Sequence, residues 1–266
     1  MMIKAAFFDI DGTLLSHKSK SVPQSARAAI RQLREKGILC IVATGRQMQE
    51  MMKLPIADME FDGYITLNGQ LALDGEKNIL FGTPLTGRPK EFLIRAFEEK
   101  RFPALLVEEE AVYLNFEDDR VRRLQAAISS PVPPLGAYSG GEIYQVCAYL
   151  NPEDLHLVSE IAGECVMTSW AFGGMDLIAK GGGKVTGIRR YLEERGIAPE
   201  EIIAFGDGEN DEQMLRFAGI GVAMGNAVED TRQAADYVTA DIDADGVALA
   251  LAHFGLIEIP EVNGDV

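Results

Sequence analysis

Residues 3–15 read IKAAFFDIDGTLL. A largely apolar run at the start of this stretch leads into a segment with two aspartates, a glycine and a threonine. An apolar run of this length is typical of a strand that is buried on both faces, as in a parallel sheet. Open α/β sheets bind their ligands at the edge formed by the carboxyl ends of such strands. Asp9 and Asp11 are two positions apart, so their side chains lie on the same side of the chain. The segment therefore predicts a parallel sheet with a polar site at the end of its first strand.

Strand and helix patterns alternate through the rest of the first third of the chain. Residues 23–36 carry apolar side chains at helical spacing, and Gly37 ends this predicted helix. A second apolar strand pattern covers residues 38–43, and a third covers residues 64–67. Such alternation predicts parallel strands whose connecting helices cover the sheet.

The middle of the chain has a different pattern. Strand patterns follow one another at residues 105–115 and 166–179, which is typical of an antiparallel α+β unit. Beyond this region the alternation of strands and helices resumes. The simplest architecture is an α/β domain formed by residues 1–82 and 180–266, with a separate module, residues 83–179, inserted after the third strand.

The net charge limits the partners that this protein can have. The chain has 25 basic and 41 acidic residues, and its formal net charge is −16. An acidic surface opposes binding to nucleic-acid backbones and to anionic membranes, so we expect neither as a partner. To bind an anionic substrate, the protein would need a local positive potential that overcomes the repulsion from its net negative charge. A bound cation, or a few well-placed amides and lysines, could provide it.

Cysteine usage and hydropathy indicate the compartment. Cys40, Cys147 and Cys165 are far apart and lack CxxC spacing, so we expect free thiols. Residues 1–15 have acidic residues where a signal peptide would be apolar, and no apolar run approaches the ~20 residues that span a bilayer. These features predict a cytoplasmic protein and leave its oligomeric state open.

A second acidic loop, GDGEND at residues 206–211, follows a strand pattern at 202–205. Taken alone, this loop is as consistent with a purely structural role, a turn followed by a helix N-cap, as with a functional one. In the same way, residues 9–13 taken alone could simply be the turn that ends a strand. Together the two loops bring several carboxylates to one sheet edge, where they repel one another unless a cation binds. Oxygen ligands of this type suit Mg²⁺. A carboxylate can also attack phosphorus and form an aspartyl-phosphate.

Two further segments suggest an anion. Thr44 and Gly45 follow the second strand pattern, where a hydroxyl, a backbone amide and a helix N-terminus can bind phosphate. An ordinary N-cap is the alternative. Lys184 opens a predicted helix after three glycines, although a cation there opposes the helix dipole. A nearby anion would explain this, and an exposed lysine is the alternative. We expect Arg46 to orient its loop or to pair with an acid, and we assign it no catalytic role.

The segments DIDGTLL, TGR, a lone lysine after glycines and GDGEND occur in the order of the four haloacid dehalogenase motifs. Over essentially its whole length the chain resembles the Cof-type hydrolases of that superfamily, which have a class IIB cap. The resemblance implies a Rossmann-like parallel-sheet core with an inserted α+β cap. It also implies a magnesium-dependent phosphatase that acts on small phosphorylated metabolites, with sugar phosphates as the expected class. A phosphotransferase or phosphomutase with the same nucleophile is the alternative.

The resemblance also implies a role for each motif residue. Asp9 would be the nucleophile, and Asp11 the general acid and base. The phosphoryl oxygens would be held by Thr44, Gly45, Lys184 and Asn210. Magnesium would be held by Asp9, the backbone carbonyl of Asp11, Asp207 and, directly or through water, Asp211.

Within the predicted insert, the sequence supports weaker expectations. The run of glutamates at residues 108–110 predicts a solvated hairpin turn. Trp170 and Phe172 are interpreted as packing residues, with substrate stacking as the alternative. We expect the loop at residues 130–141 and the Gly173-Gly174 pair to contact the leaving group of the substrate.

Overall fold

The structure is a computed structural model, and it describes residues 2–109, 111–127, 130–169 and 173–258. The chain forms two compact units, one comprising residues up to Leu80 and from Lys184 onward, the other Phe81–Gly183. Among the helices in the described part of the chain, none combines the length and apolarity needed to cross a membrane.

The described part of the chain contains strands and α-helices in the following order along the sequence. The strands are β1 (Ala5–Phe8), β2 (Leu39–Ala43), β3 (Gly63–Thr66), β4 (Leu71–Asp74), β5 (Ile79–Gly82), β6 (Ala104–Glu108), β7 (Val112–Leu114), β8 (Ile143–Ala148), β9 (Cys165–Ser169), β10 (Met175–Ala179), β11 (Ile202–Gly206), β12 (Ile220–Ala223) and β13 (Tyr237–Val238). The α-helices are α1 (Gln24–Glu35), α2 (Met48–Met51), α3 (Gly87–Glu98), α4 (Asp119–Ala127), α5 (Lys184–Glu193), α6 (Glu212–Phe217), α7 (Glu229–Ala234) and α8 (Gly246–His253).

The large sheet has the strand order β13-β12-β11-β1-β2-β3-β4-β5. β1 is central and runs parallel to both of its neighbours, β11 and β2. β3, β12 and β13 continue the parallel arrangement, and β4 runs antiparallel to β3. The predicted α/β fold with a parallel-rich sheet is therefore confirmed. Because the chain extends from β1 to either side, the carboxyl ends of β1, β2 and β11 form the switch point at which such sheets bind ligands.

The centre of the large sheet is entirely apolar. All four side chains of β1 are fully buried, as expected for a strand between helix layers. Phe8 stacks on Phe205 of β11 with ring centroids 5.1 Å apart, and Phe7 meets Tyr191 of α5 edge-on. These contacts fix the end of β1 from which the polar loop begins.

The helix predicted at residues 23–36 is confirmed as α1. Its buried residues are the apolar positions of the helical pattern, namely Ala26, Ala29, Ile30 and Leu33. Gly37 follows with a φ of 77°, in the left-handed region that ends helices readily at glycine.

The sequence patterns predict no strand at residues 68–82, between the third strand pattern and the inserted module, and so omit two strands of the large sheet. Instead, β4 and β5 follow β3 and extend the sheet. β4 has three buried apolar residues, Leu71, Ala72 and Leu73, so its pattern was available in the sequence, whereas β5 exposes Ile79 and Leu80.

The second unit contains a five-stranded sheet with the order β7-β6-β8-β10-β9. The pairs β6–β7, β6–β8, β10–β8 and β10–β9 are antiparallel, so the predicted antiparallel α+β architecture is present. Its core includes Phe92 and Phe97 of α3, Leu106 of β6 and Val146 of β8.

The hairpin between β6 and β7 corrects one prediction. Glu108 is buried rather than solvated, and its carboxylate accepts a hydrogen bond from the Ser139 hydroxyl. A register shift between Val107 and Glu108 accompanies this inward position. Glu109 is exposed, as predicted. Glu110, Trp170 and Phe172 lie outside the described residues.

Candidate active site

The loop after β1 turns sharply at the carboxyl edge of the sheet. The Ile10 carbonyl accepts hydrogen bonds from the backbone amides of Thr13, Leu14 and Leu15 at 3.3, 2.9 and 2.7 Å. Gly12 has a φ of 80°, and a Cβ atom there would lie 2.0 Å from Oδ2 of Asp207. Only glycine therefore permits both the turn and the close approach of the aspartate.

Lys184 connects two buried carboxylates. Its Nζ donates to Oδ1 of Asp9 and to Oδ1 of Asp211, each at 2.6 Å, and all three side chains are almost completely buried. Burial alone would lower the pKa of Lys184, but the Asp211 and Asp9 carboxylates hold that pKa above its ordinary value. Among the described residues, none donates a hydrogen bond to Oδ2 of Asp9, so that oxygen has uncommitted lone pairs.

Asp9, Asp207 and Asp211 form a carboxylate cluster in which one oxygen of each lies within 4.8 Å of the others. Burial raises the pKa of Asp9 to about 7, with Lys184 opposing the rise and Asp211 and Asp11 adding to it. Burial and the charges of Asp9 and Asp211 raise the pKa of Asp207 to about 8. The single ammonium of Lys184 cannot neutralise three carboxylates, so a further cation would stabilise their ionised forms.

Asp211 organises the loop after β11. Its Oδ2 accepts hydrogen bonds from the backbone amides of Asp207 and Gly208, both at 3.0 Å, while Oδ1 accepts from Lys184. Gly206 makes room for it, since a Cβ atom at Gly206 would lie 2.4 Å from Cβ of Asp211. Both oxygens of Asp211 are therefore engaged by the protein itself.

Asp11 lies beside this cluster and is paired with Arg46. Nε of Arg46 lies 2.6 Å from Oδ2 of Asp11, and Nη2 lies 2.8 Å from Oδ1, so the ion pair is bidentate. Of the two roles expected for Arg46, the structure shows pairing with an acid. A bidentate guanidinium fixes the position of a carboxylate through two parallel hydrogen bonds.

The loop after β2 brings Thr44 and Gly45 next to Asn68. Thr44 is buried, its backbone amide donates to the Ile65 carbonyl, and its hydroxyl accepts from the Arg46 amide at 3.1 Å. A Cβ atom at Gly45 would lie 3.1 Å from Oδ1 of Asn68. Asn210 is exposed, and its Nδ2 donates to the same Oδ1 at 3.4 Å. The structure therefore brings Thr44, Gly45 and Asn210 together around an asparagine that sequence reasoning did not single out.

Two other residues of the site were also missed. The Thr13 hydroxyl donates to Oδ1 of Asp207 at 3.2 Å, and Nδ2 of Asn226 lies 3.3 Å from Oδ2 of Asp207. The signal was present, because Asn68 closes β3 and Asn226 follows β12 at the same sheet edge. Thr13 belongs to the first motif itself.

Known proteins resemble this chain over almost its whole length. The family profile of haloacid dehalogenase-like hydrolases matches residues 6–251. The putative phosphatase YkrA of Bacillus subtilis is 30% identical over 258 residues, which cover 96% of this chain and 99% of that protein.

Two solved structures have the same architecture. BT1666 from Bacteroides thetaiotaomicron, described among phosphatases of this superfamily, is 32% identical with a TM-score of 0.86 over 96% of both chains. BT4131, described as a subclass IIB sugar phosphatase, is 35% identical with a TM-score of 0.83 over 96% of this chain and 100% of that one.

The chain belongs to the haloacid dehalogenase-like hydrolase family. This confirms the family that the sequence motifs indicated. Membership of this family and the phosphatases among the relatives together confirm the predicted enzyme class, a phosphatase.

Proposed function

We propose that this phosphatase hydrolyses phosphomonoesters of small metabolites, with sugar phosphates as the preferred class, by using Asp9 as a nucleophile and Mg²⁺ as a cofactor. The observation that carries the proposal is the cluster of Asp9, Lys184 and Asp207 at the carboxyl end of the central strand. The description of BT4131 as a sugar phosphatase supports the substrate class.

Mg²⁺ fits the side chains of this site. The cluster offers only oxygen ligands, it is largely buried, and its carboxylates outnumber its one lysine. Asp9, Asp207 and the Asp11 carbonyl would hold the ion. We assign Asp211 to a contact through water, because it is fully buried and accepts three hydrogen bonds, one from the Lys184 ammonium at 2.6 Å and two from backbone amides at 3.0 Å. Asp207 accepts only one longer hydrogen bond at each oxygen, at 3.2 and 3.3 Å. When bound, the ion would offset the repulsion between the Asp9 carboxylate and the phosphate of the substrate.

In the first step, a carboxylate oxygen of Asp9 attacks phosphorus and the bond to the leaving oxygen breaks. Asp11, carrying a proton, transfers it to that leaving oxygen, so the alcohol departs neutral. Oδ2 of Asp9 suits the attack because Lys184 already engages Oδ1. The products of this step are the free alcohol and an aspartyl-phosphate at Asp9.

In the second step, water attacks phosphorus and the bond between phosphorus and the Asp9 oxygen breaks. The Asp11 carboxylate accepts the proton of the attacking water, which regenerates both aspartates and releases inorganic phosphate. The bidentate contact with Arg46 fixes the position of the Asp11 carboxylate for this step.

Phosphoryl transfer depends mainly on positioning and charge neutralisation. We propose that the Thr44 hydroxyl, the Gly45 amide and the Asn210 amide hold the phosphoryl oxygens, with the Lys184 ammonium adding positive charge. The grouping of Thr44, Gly45 and Asn210 around Asn68 supports this assignment.

We also propose that residues 1–82 and 180–266 act as the catalytic core and residues 83–179 as a cap that selects the ester. Every residue with a proposed chemical role lies in the first compact unit of the structure. The cap would therefore contribute binding energy for the leaving group and leave the identity of the reacting groups unchanged.

The proposal is tested by measuring phosphate release from a panel of phosphorylated metabolites and from para-nitrophenyl phosphate, with Mg²⁺ present. Asp9→Asn serves as the inactive control. Release of phosphate by the wild-type enzyme alone supports hydrolysis. Isomerised or transferred phosphate without free phosphate would instead identify a phosphomutase or phosphotransferase, and would contradict the proposal.

A further inference from the structure

The turn between β12 and α7 places an asparagine side chain against the carboxylate cluster. Nδ2 of Asn226 donates to the Gly12 carbonyl at 2.8 Å and lies 3.3 Å from Oδ2 of Asp207. Oδ1 of Asn226 accepts a hydrogen bond from the Ile242 amide at 3.0 Å. One side chain therefore connects the loops that follow β1, β11 and β13.

The backbone around Asn226 is fixed on both sides. Gly225 donates to the Ala240 carbonyl at 2.9 Å, and a Cβ atom at Gly225 would lie 2.4 Å from the Asp241 nitrogen. The Val228 amide donates to the Asp207 carbonyl at 3.2 Å. Asn226 therefore projects from a rigid turn that is attached directly to the Asp207 loop.

The two contacts of Nδ2 require a side-chain amide. An NH₂ group has two donor hydrogens, one for the Gly12 carbonyl and one for the Asp207 carboxylate, and the amide oxygen remains for Ile242. An aspartate would have the same shape but would place an oxygen against both acceptors. A serine has a single donor hydrogen, and an alanine has none.

Asp207 is thereby held at both oxygens, with the Thr13 hydroxyl at Oδ1 and the Asn226 amide at Oδ2. Groups that hydrogen-bond to a metal-binding carboxylate orient it and raise the affinity of the site. The same amide holds the Gly12 peptide, which directly follows the Asp11 carbonyl.

We propose that Asn226 is a positioning residue for the metal, whose amide fixes the Asp207 carboxylate and the Gly12 peptide in the arrangement that binds Mg²⁺. This inference rests on the proposed function, since that function supplies the need for the ion. Asn226 itself contacts neither the phosphate nor the metal in this scheme.

The test is calorimetric titration of the metal-free, full-length protein with Mg²⁺ alone. The variants are Asn226→Ala and Asn226→Asp, with Asn226→Ser for the case in which either fails to fold. Asn78→Ala is the matched control, because the Asn78 amide also donates to a carboxylate, that of Asp74 at 3.0 Å, but on an exposed hairpin. Circular dichroism and thermal unfolding establish that each variant is folded.

We expect Asn226→Ala to bind Mg²⁺ about 10- to 100-fold more weakly than wild type, and Asn78→Ala to bind it normally. Activity of Asn226→Ala should recover as Mg²⁺ is raised, which the loss of a purely structural contact would not produce. A folded Asn226→Ala or Asn226→Ser protein with wild-type Mg²⁺ affinity would overturn the inference. Failure of the wild-type protein to bind Mg²⁺ would instead overturn the metal in the proposed function.

Discussion

Replacing Asp207 with asparagine should stabilise the metal-free protein while removing its activity. Asp207 is half-buried next to two other carboxylates, and its pKa is raised from the ordinary value of 3.8 to about 8. Asparagine has nearly the same shape and no charge to desolvate. It can still accept the Thr13 hydrogen bond at Oδ1. Its amide nitrogen then faces Nδ2 of Asn226, and the loss of that hydrogen bond offsets part of the gain. The variant therefore removes the repulsion in the cluster without creating a large cavity.

The size of the effect follows from the difference between the pKa values of the folded and unfolded states. One pKa unit corresponds to about 1.4 kcal/mol, so the rise from 3.8 to about 8 corresponds at most to about 6 kcal/mol. Asp207 retains partial exposure, and water screens its charge. We therefore expect Asp207→Asn to gain about 1–3 kcal/mol at pH 8.

The gain should depend on pH with a definite sign. Well below pH 3.8, Asp207 is protonated in both the folded and the unfolded state, so its ionisation does not destabilise the fold. As pH rises from 4 toward 8, Asp207 ionises in the unfolded chain but stays largely protonated in the folded protein. The free energy of unfolding of the wild-type protein therefore falls over this range. The advantage of Asp207→Asn should accordingly grow between pH 5 and pH 8.

Chemical denaturation in EDTA, repeated between pH 5 and pH 8, measures this difference directly. Asp58→Asn is the matched control, because the hydrogen bond from Arg27 holds the pKa of exposed Asp58 below its ordinary value. Asp58→Asn should therefore not increase the free energy of unfolding at any of these pH values. If metal-free Asp207→Asn were less stable than wild type at pH 8, or if the difference did not change with pH, the electrostatic description of the cluster would be wrong.

Three further predictions concern activity. Asp9→Asn should retain its fold by circular dichroism and lose turnover, because an amide is a poor nucleophile; phosphate release above a few per cent of wild type would contradict this. EDTA should abolish phosphate release and Mg²⁺ should restore it, with Ca²⁺ a poor substitute because it favours more ligands and looser geometry; full turnover by the chelated enzyme would exclude the metal. Exchanging residues 83–179 for the cap of a relative should transfer substrate preference, and a preference that stayed with the core would refute the proposed division of labour.

Much of the site could be predicted from the sequence because open α/β sheets bind ligands at the carboxyl ends of their parallel strands. Asp9 and Asp207 each follow an apolar strand, and parallel strands bring their carboxyl ends to one edge whatever the rest of the fold. The sequence indicated only indirectly that Lys184 lies near the aspartates. The indication was that a lysine at the start of a helix opposes the helix dipole, which a nearby anion would explain. The structure brings these residues together, and their chemical roles remain predictions.

Contacts between side chains from distant parts of the chain could not be derived in the same way. Asn226 lies 214 positions from Gly12, and Thr13 lies 194 positions from Asp207. The bidentate contact between Arg46 and Asp11 depends on loop conformations that no periodic pattern encodes. Glu108 shows the same limit, since a run of glutamates predicts solvent and its burial depends on a register shift.

The role of Asp9 as a nucleophile is tested most directly by the stereochemistry at phosphorus. The measurement uses a phosphorothioate ester made chiral at phosphorus with one oxygen isotope, hydrolyses it in water labelled with another, and determines the configuration of the released inorganic thiophosphate. Attack by Asp9 followed by attack of water is two in-line displacements, each of which inverts phosphorus, so the predicted result is net retention. Net inversion would show a single direct attack by water and would contradict an aspartyl-phosphate at Asp9.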